Sequence, residues 1–450
     1  MNGIVMKFGG SSVADAACMR QVAGLVRAAS ARPPLVVLSA MGKTTNALFA
    51  AAHAAKRGDL EAAIQGMLAV KTTHLKAAKE LFSGAVPESL EASLTERFGE
   101  LELILRGVAL LRELSPRSMD AIASFGERLS TLLFSSFIDA PLVDARKVMR
   151  TDDAFGEGQP RFALLPELAV QHFAPLLVPG QAVVTQGYIG ATEDGLTTTL
   201  GRGGSDYSAA LFGAALGLEE VQIWTDVQGV LTCDPRVVPE AQSIDQLTFA
   251  EAAELAAFGA KVLHPATIQP AVEAGIPVTV RDTQHPSGLF TTISPDTRSG
   301  RAVTALATRG PVTVLTVNSS RMLNHSGFLA RLFDVFRRHD VSVDLIATAE
   351  VSVSLTVEAD APLEALMADL SAFATAVAVQ ERAIIAVVGE RIKQTPGIAG
   401  RVFTALGDIN IELISMGANE INLSLVVPQA AVVEALRRLH RVLIEEAICA

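Results

Sequence analysis

Within its first fifty residues the chain runs through one pattern twice: a short apolar run, a break rich in glycine or serine, then a helical periodicity. Residues 4–8 read as a buried strand, Gly9-Gly10-Ser11-Ser12 breaks it, and helical spacing follows from 13 toward 29. Pro33-Pro34 precede a second apolar strand at 35–38, and the polar loop Ser39 to Asn46 leads into another helix. Repeated strand–loop–helix units build a largely parallel sheet, so the fold class is α/β. In such sheets ligands bind outside the carboxyl ends of the strands, where both of these polar loops sit.

The pattern continues after a long interruption. Residues 47–114 carry alanine and leucine at helical spacing and read as a helical insertion whose apolar faces are core; His53 and His74 there suit surface or core positions better than ligation. Strands are expected near 142–146, 182–187, 221–226 and 276–281, with helices opening at Ser124 and Phe249. Beyond about 284 proline, glycine, serine and threonine accumulate, which marks a linker. A βαββαβ order then occurs twice, with Gly327-Phe328-Leu329 and Gly397-Ile398-Ala399 at matching places. The expected organisation is a catalytic domain at 1–290, a linker at 291–310, and small α+β modules at 311–381 and 382–450. Two such modules in tandem suit a sensor for a small ligand.

Composition removes several function classes. Half of the 450 residues are hydrophobic and 19% are charged, so the chain is globular. A net charge of -11 without a basic tract argues against nucleic acid. Cys18, Cys233 and Cys449 lie far apart, with neither metal-ligand spacing nor a disulfide framework, which fits a cytoplasmic location and no metal site. No apolar run reaches the ~18 residues of a membrane span, and the start is too short for a secretory leader before Lys7.

The densest chemistry lies at Thr197-Thr198-Thr199-Leu200-Gly201-Arg202-Gly203-Gly204-Ser205-Asp206-Tyr207-Ser208, which opens an alanine-rich helix. Ser205 or Asp206 can cap that helix, whose free amides and positive dipole end suit an anion. Arg202 adds a planar fork for a carboxylate or phosphate. Lys7, at a strand end beside Gly9 and Gly10, suits phosphate oxygens, although lysines at strand ends are common. Gly42-Lys43-Thr44 resembles the tail of a P-loop, but Val37 stands where that motif needs glycine, so a P-loop is rejected. Glu127, at a helix start, serves equally as a dipole partner or as the ligand of an ammonium group. Thr225-Asp226, Asp234-Pro235-Arg236 and Lys261 fit a nucleotide site. His264 suits capping or packing better than catalysis, and neither a nucleophile elbow nor HExxH is present.

Together these segments resemble the aspartate kinases of the amino-acid kinase superfamily over nearly the whole chain. The anchors are Lys7-Phe8-Gly9-Gly10-Ser11-Ser12-Val13, Phe125-Gly126-Glu127, Thr199 to Tyr207, Trp224-Thr225-Asp226-Val227, Asp234-Pro235-Arg236 and Phe258 to Pro265. Arg146-Lys147-Val148-Met149-Arg150-Thr151 looks most like the lysine-sensitive branch. The resemblance implies an amino-acid kinase sandwich followed by two ACT-type modules. It also implies transfer of phosphate from ATP, with Mg²⁺, to the β-carboxylate of L-aspartate. Lys7 and Asp206 would be catalytic. Thr45, Glu127 and Arg202 would bind aspartate, Arg202 at a carboxylate and Glu127 at the ammonium. Lys7, Phe8, Gly9, Gly10, Thr225, Asp226, Leu231, Arg236, Lys261 and Val262 would bind ATP and its phosphates. Leu231 departs from the branch, which usually has tyrosine there.

The same resemblance places a feedback amino acid, L-lysine, at Met322, His325, Phe328, Leu329, Ser342, Val343, Asp344, Thr348 and Glu350, between subunits of a homodimer or dimer of dimers. Asp344 and Glu350 suit the cationic end of lysine, whereas His325 and Ala349 stand where the branch usually has serine. It also allows the tail from about 442 to return to the first module's sheet. Two competing readings stay open. One is a related kinase acting on glutamate, acetylglutamate, carbamate or a nucleoside monophosphate; the other is a catalytically dead amino-acid sensor.

Overall fold

The structure, a computed structural model, describes residues 2–259, 265–295, 301–323, 326–417 and 419–446. It divides into two compact units, Met1–Val230 with Leu263–Thr297, and Leu231–Val262 with Arg298–Ala450.

The first unit is built on β1 (Ile4–Phe8), β2 (Pro34–Leu38), β3 (Leu142–Val143), β4 (Val183–Gln186), a separate hairpin of β5 (Ile189–Ala191) and β6 (Thr197–Thr199), and β7 (Glu220–Thr225). Its helices are α1 (Ala16–Ala28), α2 (Thr44–Lys56), α3 (Leu60–Leu81), α4 (Glu88–Leu111), α5 (Pro116–Ala123), α6 (Phe125–Ile138), α7 (Leu165–Phe173) and α8 (Gly204–Leu216). The chain then leaves for the other unit, where it forms α9 (Phe249–Ala257), and returns as α10 (Pro265–Glu273), β8 (Val278–Asp282) and β9 (Thr291–Ile293). Strand order in this unit is β3-β4-β2-β1-β7-β8-β9. All neighbours are parallel except β9, which runs antiparallel to β8.

Side chains alternate across β1, and that alternation sets the site. Ile4, Met6 and Phe8 enter one core with Met19, Leu48, Met67, Phe98 and Phe125, under α1 to α4 and α6. Val5 points the other way, toward Gly213 of α8, and Lys7 shares its face. The insertion at 47–114 is helical as expected, and His74 is wholly buried, its Nδ1 bonded to the Val70 carbonyl. No helix among the described residues is long and apolar enough to cross a membrane.

The second unit holds β10 (Ala305–Asn318), α11 (Phe328–Arg338), β11 (Ile346–Thr348), β12 (Ser352–Glu358), α12 (Leu363–Ser371), β13 (Thr375–Val388), α13 (Ile398–Leu406), β14 (Leu413–Met416), β15 (Asn422–Pro428) and α14 (Val432–His440). One sheet of order β11-β12-β10-β13-β15-β14 joins both modules. The expected repeat is therefore present, but its two halves share strands. Residues 312–318 of β10 pair with β12 and with 375–382 of β13, which completes the first module. Residues 305–309 of β10 pair with 384–388 of β13 and supply the second module's fourth strand. The stretch 291–310, expected to be a linker, thus contains β9 and the start of β10. The described tail past 442 is a helical continuation of α14 through Glu445, not a returning strand. Residues 231–262 belong with this unit. Thr304 donates to Glu251 at 2.6 Å, Leu306 N–H to the Thr232 carbonyl at 2.8 Å, and Thr232 meets His440 at 2.9 Å.

Candidate active site

A cavity of about 610 Å³ opens in the first unit. Its walls come from the ends of β1 and β2, the start of α2, the first turn of α6, the loop at Gly156-Glu157, Tyr188, and the turn into α8. Of the residues expected at the catalytic and substrate sites it brings together Lys7, Thr45, Glu127, Arg202 and Asp206, with Gly10 beside them.

Lys7 and Asp206 meet because β1 turns its odd-numbered side chains toward α8. Lys7 Nζ lies 2.6 Å from Asp206 Oδ1, and the lysine is 8% exposed. Gly203 caps α8 at φ +73°, a left-handed conformation that glycine adopts at little cost. Neither Ser205 nor Asp206 caps this helix by its side chain, contrary to expectation. Both lie in its first turn, and Asp206 reaches across to Lys7 instead. The uncapped amides remain available to an anion. Arg202 is exposed on the turn and has no ion pair among the described residues.

Glu127 sits near the start of α6, 3% exposed. Its Oε1 accepts the Ala40 N–H at 3.1 Å, and its Oε2 has no hydrogen-bond partner among the described residues. Burial pushes its carboxyl up to about 8, and the Ala40 N–H bond offsets this only in part. Gly126 permits this placement: a Cβ there would come 2.7 Å from the Ala40 side chain. A buried acceptor without a partner suits the ammonium of a ligand, which favours that reading of Glu127 over a dipole partner.

The nucleotide set is brought together less completely. Gly10 lines the cavity, and the neighbouring Gly9 N–H donates to the Trp224 carbonyl at 3.4 Å. The Phe8 side chain is wholly buried and stacks 5.8 Å from Trp224, so only its backbone can face a nucleotide. Thr225 ends β7 and donates to Asp226 at 3.2 Å. Leu231 and Arg236 belong to the second unit, where Arg236 pairs with Asp234 at 2.6 Å. Lys261, Val262 and His264 lie outside the described residues. No group of three or more His, Cys, Asp or Glu among the described residues is arranged to hold a metal ion.

Sequence reasoning passed over Tyr188, Asp120 and the Gly156-Glu157 loop. Tyr188 lines the cavity at φ +66°, a strained conformation for an aromatic residue. What marks it is its backbone angle, which no local sequence pattern announces.

In the first module Met322 and Phe328 pack on a core with Leu332, Phe336 and Leu370. Ser342 and Val343 lie in the segment before β11; Ser342, Thr348, Glu350 and Leu329 are exposed. Asp344 already has a partner: Arg309 donates to its Oδ1 at 2.8 Å and also pairs with Glu358. Asp344 Oδ2 is buried without a partner, and burial raises its carboxyl above the usual range. His325 lies outside the described residues.

Comparison with known proteins agrees with this geometry. The amino acid kinase family model matches residues 2–282, and an ACT domain model matches 315–368 and 385–443. Lysine-sensitive aspartokinase 3 of Escherichia coli is 40% identical, over 98% of this chain and 99% of its own. Chloroplastic aspartokinase 1 of Arabidopsis thaliana is 37% identical, over 97% of this chain and 79% of its own. The crystal structure of E. coli aspartokinase III with aspartate and ADP superposes with a TM-score of 0.83 at 39% identity, covering 98% of this chain and 99% of that one. A second structure of that enzyme, with lysine and aspartate, also gives 0.83 at 39% identity, covering 99% and 100%. With both family models placed and whole-length similarity to these enzymes, the chain belongs to the amino acid kinase family and, within it, to the aspartokinases.

Proposed function

We propose that this enzyme phosphorylates the β-carboxylate of L-aspartate with ATP, giving 4-phospho-L-aspartate and ADP, the first step toward lysine, threonine and methionine. One observation carries the reading: a lysine–aspartate pair at 2.6 Å shares a cavity with an exposed arginine and a buried glutamate whose Oε2 has no hydrogen-bond partner among the described residues. The nucleophile is the substrate's own carboxylate, ionised at neutral pH with a pKa of about 3.9, so no general base is required. Catalysis then rests on alignment and charge stabilisation.

Arg202 takes a substrate carboxylate, Glu127 the ammonium, and the Thr45 hydroxyl a further polar contact. Lys7, held by Asp206, faces the transferring phosphoryl group together with the Gly9–Gly10 backbone and the amides of α8. For ATP binding the proposed residues, on the family resemblance, are Thr225, Asp226, Leu231, Arg236, Lys261 and Val262. Mg²⁺ would arrive with ATP and neutralise its phosphate charge, and Asp206 is the cavity carboxylate that would hold it beside Lys7. The catalytic domain is assigned to 1–290 and the two ACT-type modules to 311–381 and 382–450.

L-Lysine is the proposed feedback inhibitor, bound around Asp344 and Glu350 with Met322, His325, Phe328, Leu329, Ser342, Val343 and Thr348. It acts in a cytoplasmic homodimer or dimer of dimers joined through the ACT-type modules. The sensor-only reading requires a lost phosphate-handling group, and the presence of Lys7 and Asp206 in the cavity lining speaks against it. ADP release measured with aspartate, glutamate, acetylglutamate, carbamate and a nucleoside monophosphate tests the substrate. Turnover with aspartate alone is expected; turnover with another acceptor, or with none, overturns the reading. Adding lysine to the same assay should suppress turnover, and no heat of lysine binding at millimolar concentration would remove the effector assignment.

A further inference from the structure

Behind the cavity lies a carboxylate that no step above uses. Asp120, on α5, is 2% exposed and has no cationic partner among the described residues. It accepts three hydrogen bonds from two distant segments. Its Oδ2 takes the Gly156 N–H at 2.8 Å and the Thr199 N–H at 2.9 Å, and its Oδ1 takes the Thr199 hydroxyl at 2.9 Å. Burying a charge among neutral donors is costly unless it is fully hydrogen-bonded, so this arrangement fixes both segments strongly.

Both segments run straight into the cavity wall. Gly156 and Glu157 line it directly. Thr199 ends β6, and Arg202 follows after Leu200 and Gly201. The two segments are also tied to each other, since the Gly158 N–H donates to the Thr199 carbonyl at 2.8 Å. Gly201, at φ +73°, rests on the loop so closely that a Cβ would lie 3.3 Å from Glu157 Cγ. Leu200 N–H donates to the Tyr188 carbonyl at 2.9 Å, which ties the strained Tyr188 to the same junction. The turn bearing Arg202 therefore hangs from a crossing that Asp120 closes.

We propose that Asp120 is a positioning residue for recognition of the substrate carboxylate: it locks the Gly156 loop to the end of β6 and thereby sets where Arg202 stands. The proposal rests on the assignment of Arg202 to a substrate carboxylate. Asp120→Asn keeps the shape but replaces one acceptor by a donor, and Thr199→Val removes one of the three bonds. Steady-state kinetics on the full chain, with aspartate and ATP varied separately, are compared for Asp120→Asn, Thr199→Val, Arg202→Ala and the Asp120→Asn/Arg202→Ala double variant, alongside thermal melts.

Asp120→Asn is expected to raise KM for aspartate about tenfold, with kcat and KM for ATP within about twofold, and to add nothing in the Arg202→Ala background. Thr199→Val should move KM for aspartate the same way by about threefold. Additive effects of Asp120→Asn and Arg202→Ala would overturn the proposal. So would a loss spread over both KM values and kcat in step with the melting temperature, which is what a merely structural role gives. Should Asp120→Asn not fold, Thr199→Val decides alone. If Arg202→Ala leaves KM for aspartate unchanged, the substrate assignment itself fails, and that outcome is read separately from the Asp120 variants.

Discussion

The substrate cavity and the expected effector region use the same residue types in opposite settings. In the cavity, Lys7 and Glu127 are each less than a tenth exposed, as is Asp120 behind it, and every cavity residue comes from one unit. Around Asp344 four of the eight described side chains named above are exposed, and Asp344 itself already pairs with Arg309. Buried charges hold a geometry ready for transition-state stabilisation without reorganisation. An exposed, half-satisfied set can bind well only after a second surface covers it, which fits an inhibitor that selects one assembled state over another.

The largest expected effect tests the first half of that comparison. Lys7→Ala should lower kcat by about 10²–10³-fold while the dissociation constant for aspartate moves little, because Lys7 acts on charge that develops during transfer. Turnover near wild type would remove Lys7 from the reaction.

Next comes Arg202→Ala, which should raise KM for aspartate by about 10–100-fold through loss of a charge-assisted contact, as stopped kinetics at saturating ATP would show. An equal rise in KM for ATP would move Arg202 to the nucleotide.

A pH profile sharpens the contrast at Glu127. Binding an ammonium needs the carboxylate, yet burial holds this group protonated up to about 8 in the empty site. Affinity for aspartate should therefore rise with pH and level off past about 8, with Glu127→Gln weak and flat across the range. For folding the sign is opposite. A carboxyl raised from 4.5 to about 8 favours the folded state most below 4.5, and that contribution is lost as pH rises through about 8. Calorimetric binding between pH 6 and 9 separates these trends; an affinity independent of pH would mean that Glu127 is already ionised.

The smallest effect belongs to the effector region. Asp344→Ala should leave uninhibited kcat within about twofold and raise the lysine concentration for half-inhibition about tenfold. Unchanged inhibition would place lysine elsewhere and erase the comparison.

Much of the cavity was legible because its residues sit at strand ends and helix starts, where local chain grammar dictates exposure of polar groups. Lys7, Glu127 and the Gly201–Asp206 turn could all be placed that way. Tyr188 and Asp120 could not. The first is marked by its backbone angle, and the second by hydrogen bonds to residues 36 and 79 positions away. The cap of α8 was misjudged because Asp206 has a stronger partner in Lys7 than in a backbone amide. Residues 291–310 read as a linker from their proline, serine and threonine content. Yet the pairing of Ala305 with Val388 is a long-range contact that no local pattern announces. The excursion of 231–262 into the second unit is hidden for the same reason, and it leaves Leu231 and Arg236 in a different unit from Thr225.

The shared strands β10 and β13 have a consequence for anyone cutting or recombining such chains. A fragment beginning at Pro311 would carry every helix of both modules and still lack the edge that closes the second one, because 305–309 is stitched to 384–388. The modules are two neighbours under one pair of beams. Grafting a foreign sensor onto this enzyme would require a splice upstream of 305, and exchanging one module alone would saw through both beams at once.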